Sequence, residues 1–207
     1  AELTQWLVER LARPLPGPMV GSRFEPYPRP WRHYDSAPAT ARSAAVLLLL
    51  YQYEQAWWFP LTLRPAHLTA HAGQVSLPGG AVEADETTAE AALREFHEEL
   101  GDDGQPIRLL GALSPLYVQA SNYLVAPWVG LVASRPRFTA NRAEVETVLE
   151  VRLRELLDGA CFGSHGRQYE GQSYTAPHFL LQGHNVWGAT CMILGEFATV
   201  LGEVSER

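Results

Sequence analysis

Between Gly80 and Gly101 the chain reads G-A-V-E-A-D-E-T-T-A-E-A-A-L-R-E-F-H-E-E-L-G. Four carboxylates in this stretch have types and spacing suited to chemistry: Glu86, Glu95, Glu98 and Glu99. The last three stand at i, i+3 and i+4, a spacing that places them on one face of a helix. Carboxylates crowded in this way repel one another, which disfavours a helix that serves structure alone. A divalent cation reverses the sign of that interaction, because hard ions such as Mg2+ and Mn2+ take oxygen ligands.

A helix must position these acids, and the local signals specify one. Thr87 followed three residues later by Glu90 matches a capping box. Ala89, Ala92, Leu93, Phe96 and Leu100 supply an apolar stripe at about 100° per residue, with the three glutamates on another side. Gly101 stands where a left-handed C-terminal cap is expected. Upstream, Pro78-Gly79-Gly80 predicts a turn that lets backbone, or a phosphate, approach closely.

The rest of the chain predicts a β-rich core around that helix. Leu3, Trp6, Leu7 and Leu11 have helical spacing, and the prolines from Pro14 to Pro38 predict an extended wrap over the surface. Trp31, Arg32, His33 and Tyr34 in that wrap are candidates to touch substrate. Arg42–Tyr51 and Trp57–Arg64 read as a hairpin turning at Glu54-Gln55, with Pro60 marking an edge or bulge. The run Ala44–Leu50 is too short to span a bilayer and reads as a buried central strand. After a polar loop over 67–74, strands are expected over 107–113, 116–119 and 123–132, the last interrupted by Pro127. A helical turn over 153–157, a hairpin over 162–174 and a C-terminal amphipathic helix carrying Trp187, Cys191, Leu194, Phe197 and Leu201 complete the order. Mixed strands and helices in this order give an α+β class.

The bulk numbers narrow the function. With 207 residues, 46% hydrophobic and 19% charged, the sequence belongs to a well-cored globular chain. The net charge of −7 disfavours a nucleic-acid backbone binder. Cys161 and Cys191 have no short spacing and suggest neither zinc site nor disulfide framework. The first residues are too polar for a signal peptide, so the expected setting is cytoplasmic, with no membrane and no nucleic-acid partner.

Gly80, Glu86 and the run Arg94-Glu95-Phe96-His97-Glu98-Glu99-Leu100-Gly101 resemble the Nudix box, G-x5-E-x7-R-E-U-x-E-E-x-G-U. Every fixed position agrees; Asp102 stands where the pattern ends on a bulky apolar residue. Leu61-Thr62-Leu63-Arg64 with Gly73, Pro78, Gly79 and Gly80 resembles the longer signature of the coenzyme A pyrophosphatase branch. Pro65, Thr69 and Leu77 depart from it, and Thr69 replaces an arginine. The similarity extends from about Arg42 to about Leu201. Residues 1–40, the N-terminal helix and proline-rich wrap, lie outside it, and it implies 41–207 as a Nudix domain, an α/β/α sandwich with a mixed central sheet.

The resemblance implies a Mg2+- or Mn2+-dependent hydrolase acting on a small nucleotide-type substrate, a nucleoside diphosphate linked to a group X. Metal-activated water attacks phosphorus. It implies Glu95 and Glu99 as metal ligands, Glu98 as ligand or general base, and Glu144 as the alternative base. Arg94 pairs with an acid such as Glu86 and shapes the site. His97 turns off the acidic face. Arg64 is the foremost candidate to hold the diphosphate, with Gly79, Gly80, Gln74 and His71 as further substrate contacts and His67 beside them. Coenzyme A or an acyl-coenzyme A is the substrate the branch suggests. ADP-ribose, a dinucleotide or a nucleoside triphosphate is the alternative, and a non-catalytic nucleotide-sensing module is the reading of a different class.

Overall fold

The computed structural model describes residues 2–19, 22–29, 37–67, 72–101 and 103–205. Thr69, His71, Asp102 and the Trp31–Tyr34 segment therefore lie outside the described residues.

The central strand β1 (Arg42–Tyr53) organises everything else. Its side chains alternate between two cores. Ala45, Leu47, Leu49 and Tyr51 face one cluster, with Ala91, Ala92, Phe96 and Leu100 of helix α2 (Thr88–Leu100). Ala44, Leu48 and Leu50 face the other, with Leu7 and Leu11 of α1 (Glu2–Leu11) and Leu194 and Phe197 of α3 (Gly188–Ser205). A strand buried on both faces has to be a continuous apolar run, as Ala44–Leu50 is. Each fully buried leucine there contributes roughly 1.5–3 kcal/mol. The result is an α/β/α sandwich with a mixed sheet.

Strand β2 (Ala56–Leu63) closes the expected hairpin through Glu54 and Gln55, both at positive φ. It continues against β3 (Val75–Ser76). After β3 comes β4 (Gly79–Ala81), antiparallel to β1. Gly79 and Gly80 therefore lie in a strand, with the chain bending at Pro78, rather than forming the expected turn. Gly79, at φ +153°, explains why: any Cβ there would overlap the Ala45 carbonyl and the Val46 backbone. The glycine lets two strands approach, so it serves pairing rather than chain reversal.

Beyond α2, β5 (Arg108–Ala112) and β6 (Leu116–Val118) both pair with β7 (Tyr123–Leu131), which runs parallel to β1. Pro127 does not interrupt β7. It sits between the stretch paired with β6 and the stretch paired with β5. Pro60 in β2 lies in a similar gap, between the β1 and β3 pairings, while β8 (Thr147–Arg152) pairs along the other side. Both prolines occupy places where a ladder partner is missing on one side.

A second sheet comprises β9 (Phe162–Tyr169), β10 (Gln172–Leu181) and β11 (His184–Trp187). Trp187 ends this strand and the C-terminal helix starts at Gly188, one residue later than expected. The N-terminal segment is fastened at several points. Arg10 pairs with Glu203 at 2.7 Å, Phe24 stacks with Phe179, and Tyr27 bridges Thr175. Among the described residues, no helix is long and apolar enough to cross a membrane.

Candidate active site

Helix α2 carries the candidate acids and is fixed at both ends. At its start the capping box is complete: Glu90 N–H donates to Thr87 Oγ1 (3.2 Å) and Thr87 N–H donates to Glu90 (2.7 Å). Such a cap contributes about 1 kcal/mol. At its end Gly101 has φ 82° and ψ 166°, a positive φ as expected but not the left-handed helical conformation. The last carbonyls are capped instead by the loop ahead of β8. Thr139 N–H donates to the Leu100 carbonyl (2.7 Å) and Asn141 N–H to the Glu99 carbonyl (2.8 Å).

The helix is rolled relative to the simple stripe. Ala91, Ala92, Phe96, Glu99 and Leu100 are buried, whereas Ala89 and Leu93 are only half-buried. Glu99 is 3% exposed and belongs to the inner face. Glu95 is half-buried, and the Glu98 side chain is 55% exposed. The three acids thus run from core to solvent rather than sharing one environment. Gly80 on β4 makes the roll possible, because a Cβ there would stand 2.5 Å from the Glu95 carboxylate.

Arg94 ties this edge together. It grips Glu86 through two hydrogen bonds (3.1 and 2.7 Å). It also donates to the Ala81 carbonyl of β4 (3.0 Å) and reaches Glu95 (3.0 Å) and Glu98 (3.1 Å) through Nη1. A bidentate guanidinium–carboxylate pair is rigid as well as strong. The Arg94 bonds hold the Glu86 carboxyl below its usual range, and the Arg94 guanidinium is raised further.

Glu99 has no such partner. Its carboxylate accepts from the Gly79 N–H, but its buried Oε2 has no hydrogen-bond partner among the described residues. Burial pushes Glu99 up to about 8, against a smaller lowering by the Gly79 N–H and by the Arg64 charge. Glu95 is also raised, chiefly by burial, with Arg94 opposing. Glu144 lies near enough to both for its charge to raise each of them further.

Glu144 arrives from the same loop that caps α2. Asn141 Nδ2 donates to Glu144 Oε1 (3.0 Å), and Glu146 N–H donates to the Leu63 carbonyl (2.8 Å). The next residue is Arg64, whose buried Nε also has no partner among the described residues. Arg64 is held in place by backbone bonds to Gln74 and Gly73 (3.0 and 3.1 Å). The fold therefore assembles Glu95, Glu99, Glu144, Arg64 and the Gly79–Gly80 strand. It leaves Glu98 at the rim, while the sequence-predicted His71 falls outside the described residues. Asn141 was not singled out from the sequence; an Asn three residues before Glu144 is the turn-capping pattern that carries it.

The residues fit a hard cation. The donors are carboxylate oxygens, one of them is buried without a partner among the described residues, and burial raises both Glu95 and Glu99. These are the marks of an anionic site short of positive charge. As the side chains stand, no three carboxylate, histidine or cysteine groups among the described residues converge enough to hold a metal. Arg94 draws Glu95 and Glu98 toward itself.

Comparison with known proteins matches the NUDIX domain to residues 41–165. The chain belongs to the Nudix family. Similar proteins include two named as uncharacterized Nudix hydrolase NudL. That from Photorhabdus laumondii is 37% identical over 139 residues, covering 67% of this chain and 74% of that one. That from Enterobacter sp. strain 638 is 35% identical over 162 residues, covering 78% and 83%. In fold, the chain is similar to the Nudix hydrolase RenU of M. smegmatis (TM-score 0.52, 18% identity, 79% of this chain and 88% of that one). It is also similar to the MutT protein of Methanosarcina mazei (TM-score 0.51, 18% identity, 78% and 95%). As a Nudix hydrolase the chain is a diphosphatase, an enzyme class that generally uses Mg2+ or Mn2+ to hydrolyse a nucleoside diphosphate linked to X.

Proposed function

We propose that this Nudix diphosphatase acts on coenzyme A or an acyl-coenzyme A, with Glu95 and Glu99 holding the divalent cation and Glu144 serving as general base. The observation that carries the site assignment is the buried Glu99 carboxylate with an orphaned oxygen beside Glu95 and Glu144. When bound, the cation supplies neutralisation of charge on the phosphate oxygens and a more acidic water. Arg64 donates its guanidinium to a non-bridging oxygen of the diphosphate, where its unpartnered Nε gains an acceptor. Glu144 takes the proton of the attacking water. Arg94, anchored by Glu86, fixes the position of Glu95. Glu98 is the weaker candidate for base or ligand, because it is exposed and already bonded to Arg94.

The coenzyme A assignment rests on the Leu61–Arg64 and Pro78–Gly80 pattern. Leu77 is buried at 3%, so its departure from the pattern is a packing change. Thr69, where the pattern has an arginine, favours the second reading, hydrolysis of ADP-ribose, a dinucleotide or a nucleoside triphosphate. The intact acid set argues against a non-catalytic module. Mass-spectrometric product analysis with Mg2+ and Mn2+ across coenzyme A, an acyl-coenzyme A, NADH, ADP-ribose and nucleoside triphosphates decides. Coenzyme A cleavage to a phosphopantetheine product is expected. A kcat/KM at least about tenfold higher for another substrate overturns the assignment.

A further inference from the structure

The loop ahead of β8 joins the end of helix α2 to Glu144 through one side chain. Asn141 bonds through both its backbone and its side-chain amide. Its N–H donates to the Glu99 carbonyl (2.8 Å). Its own carbonyl accepts from the N–H groups of Glu144 (3.0 Å) and Val145 (2.8 Å). Its Oδ1 accepts from Ala143 N–H (3.2 Å), and its Nδ2 donates to Glu144 Oε1 (3.0 Å). Val145, immediately after Glu144, is fully buried in the α2-side core and anchors the turn.

We propose that Asn141 is the positioning residue that sets the Glu144 carboxylate relative to Glu99. The inference rests on the reading of Glu144 as general base. Glu144 is only half-buried and has three side-chain torsions, so without a tether its carboxylate samples many rotamers. The Nδ2 donor selects one of them. The Asn141 N–H bond to Glu99 references that rotamer to the residue whose side chain stands beside the candidate cation position. A general base must lie within hydrogen-bond reach of its water, and small misplacements are costly. The donation leaves the second Glu144 oxygen for the proton it is to accept. Asn suits this role because it offers donor and acceptor together; Asp or Ser keeps the acceptor for Ala143 N–H but withdraws the amide donor.

The test is a double-mutant cycle of N141D and E144Q in the full-length enzyme, with kcat, KM, Mn2+ affinity by calorimetry and crystal structures. In N141D, kcat is expected to fall about 10- to 100-fold while KM and Mn2+ affinity stay within about twofold, with Glu144 turned from its wild-type rotamer. In an E144Q background the same change is expected to leave kcat within about twofold. N141S supplies the same comparison if N141D does not fold, since a serine hydroxyl still caps the turn but does not reach Glu144. Equal losses from N141D with and without E144Q overturn the positioning role while leaving Glu144 as base. Wild-type kcat in E144Q overturns the base assignment itself, and the positioning role falls with it. A loss confined to Mn2+ affinity overturns the proposal in favour of a cap acting on α2 alone.

Discussion

Glu99 sets a measurable stability penalty on the metal-free protein. Its ordinary value is 4.5, and burial pushes it to about 8 in the fold. Between these values the folded chain holds a proton that the unfolded chain has released. Stability therefore falls as pH rises from about 4.5 to about 8, and levels off above that. Each pH unit in this window costs about 1.4 kcal/mol, so the penalty is about 3 kcal/mol at pH 7, about 4 at pH 8 and approaches about 5 above that. These are upper bounds, because a buried site relaxes and admits some water. Glu99→Gln removes the titration, keeps a carbonyl oxygen for the Gly79 N–H, and is close to isosteric. Urea melts in EDTA from pH 5 to pH 9 should show the wild type losing stability relative to the variant by roughly 2–5 kcal/mol. Saturating Mg2+ should shrink that difference, because the cation stabilises the ionised carboxylate. Parallel wild-type and variant curves across the whole range in EDTA would refute the reasoning, since Glu99 would then carry no burial penalty.

The acids should separate in turnover. Glu95→Gln and Glu99→Gln should each lower kcat at least about 100-fold, whereas exposed Glu98→Gln should cost less than about tenfold; abolition by Glu98→Gln alone would return the base role to Glu98. The two adjacent glycines should also separate. Gly79→Ala collides with the β1 backbone and should destabilise by more than about 3 kcal/mol in thermal melts, while Gly80→Ala meets only the end of the Glu95 side chain and should depress kcat with little change in Tm. Arg64→Ala should raise KM about tenfold or more for a diphosphate substrate with a smaller effect on kcat in steady-state assays, and an unchanged KM would remove Arg64 from the binding site.

The capping box, the ends of α2 and the central strand were legible because each is written in a few adjacent residues. Thr87 and Glu90 need only one another, and Ala44–Leu50 needs only to be apolar on both sides. The roll of α2 was not legible, because it depends on a partner distant in sequence. Ala91 replaces Ala89 in the core, and Glu99 joins it, where β4 approaches with two glycines in place of side chains. Pro127 shows the same limit from the other side. A proline forbids one hydrogen bond, and the sequence does not say whether a neighbour would have been present to receive it. Glu144 was singled out as a candidate through resemblance alone. Asn141 went unremarked because its value lies in joining Glu99 to Glu144 across about forty residues of chain.

Under the proposed assignment, Glu95 and Glu99 would meet a cation from different starting points. Glu95 has a partner in Arg94, but that partner does not depend on Glu95: the guanidinium keeps its double contact with Glu86 and its bond to the Ala81 carbonyl. Glu95 can therefore leave Arg94 without stranding a buried charge. Among the described residues Glu99 has the Gly79 N–H and the more distant charge of Arg64, and its second oxygen has no hydrogen-bond partner. The burial penalty thus falls most heavily on one carboxylate, Glu99. The bidentate pair with Glu86, which lies outside the inner acids, keeps Arg94 fixed whether or not Glu95 is in contact with it.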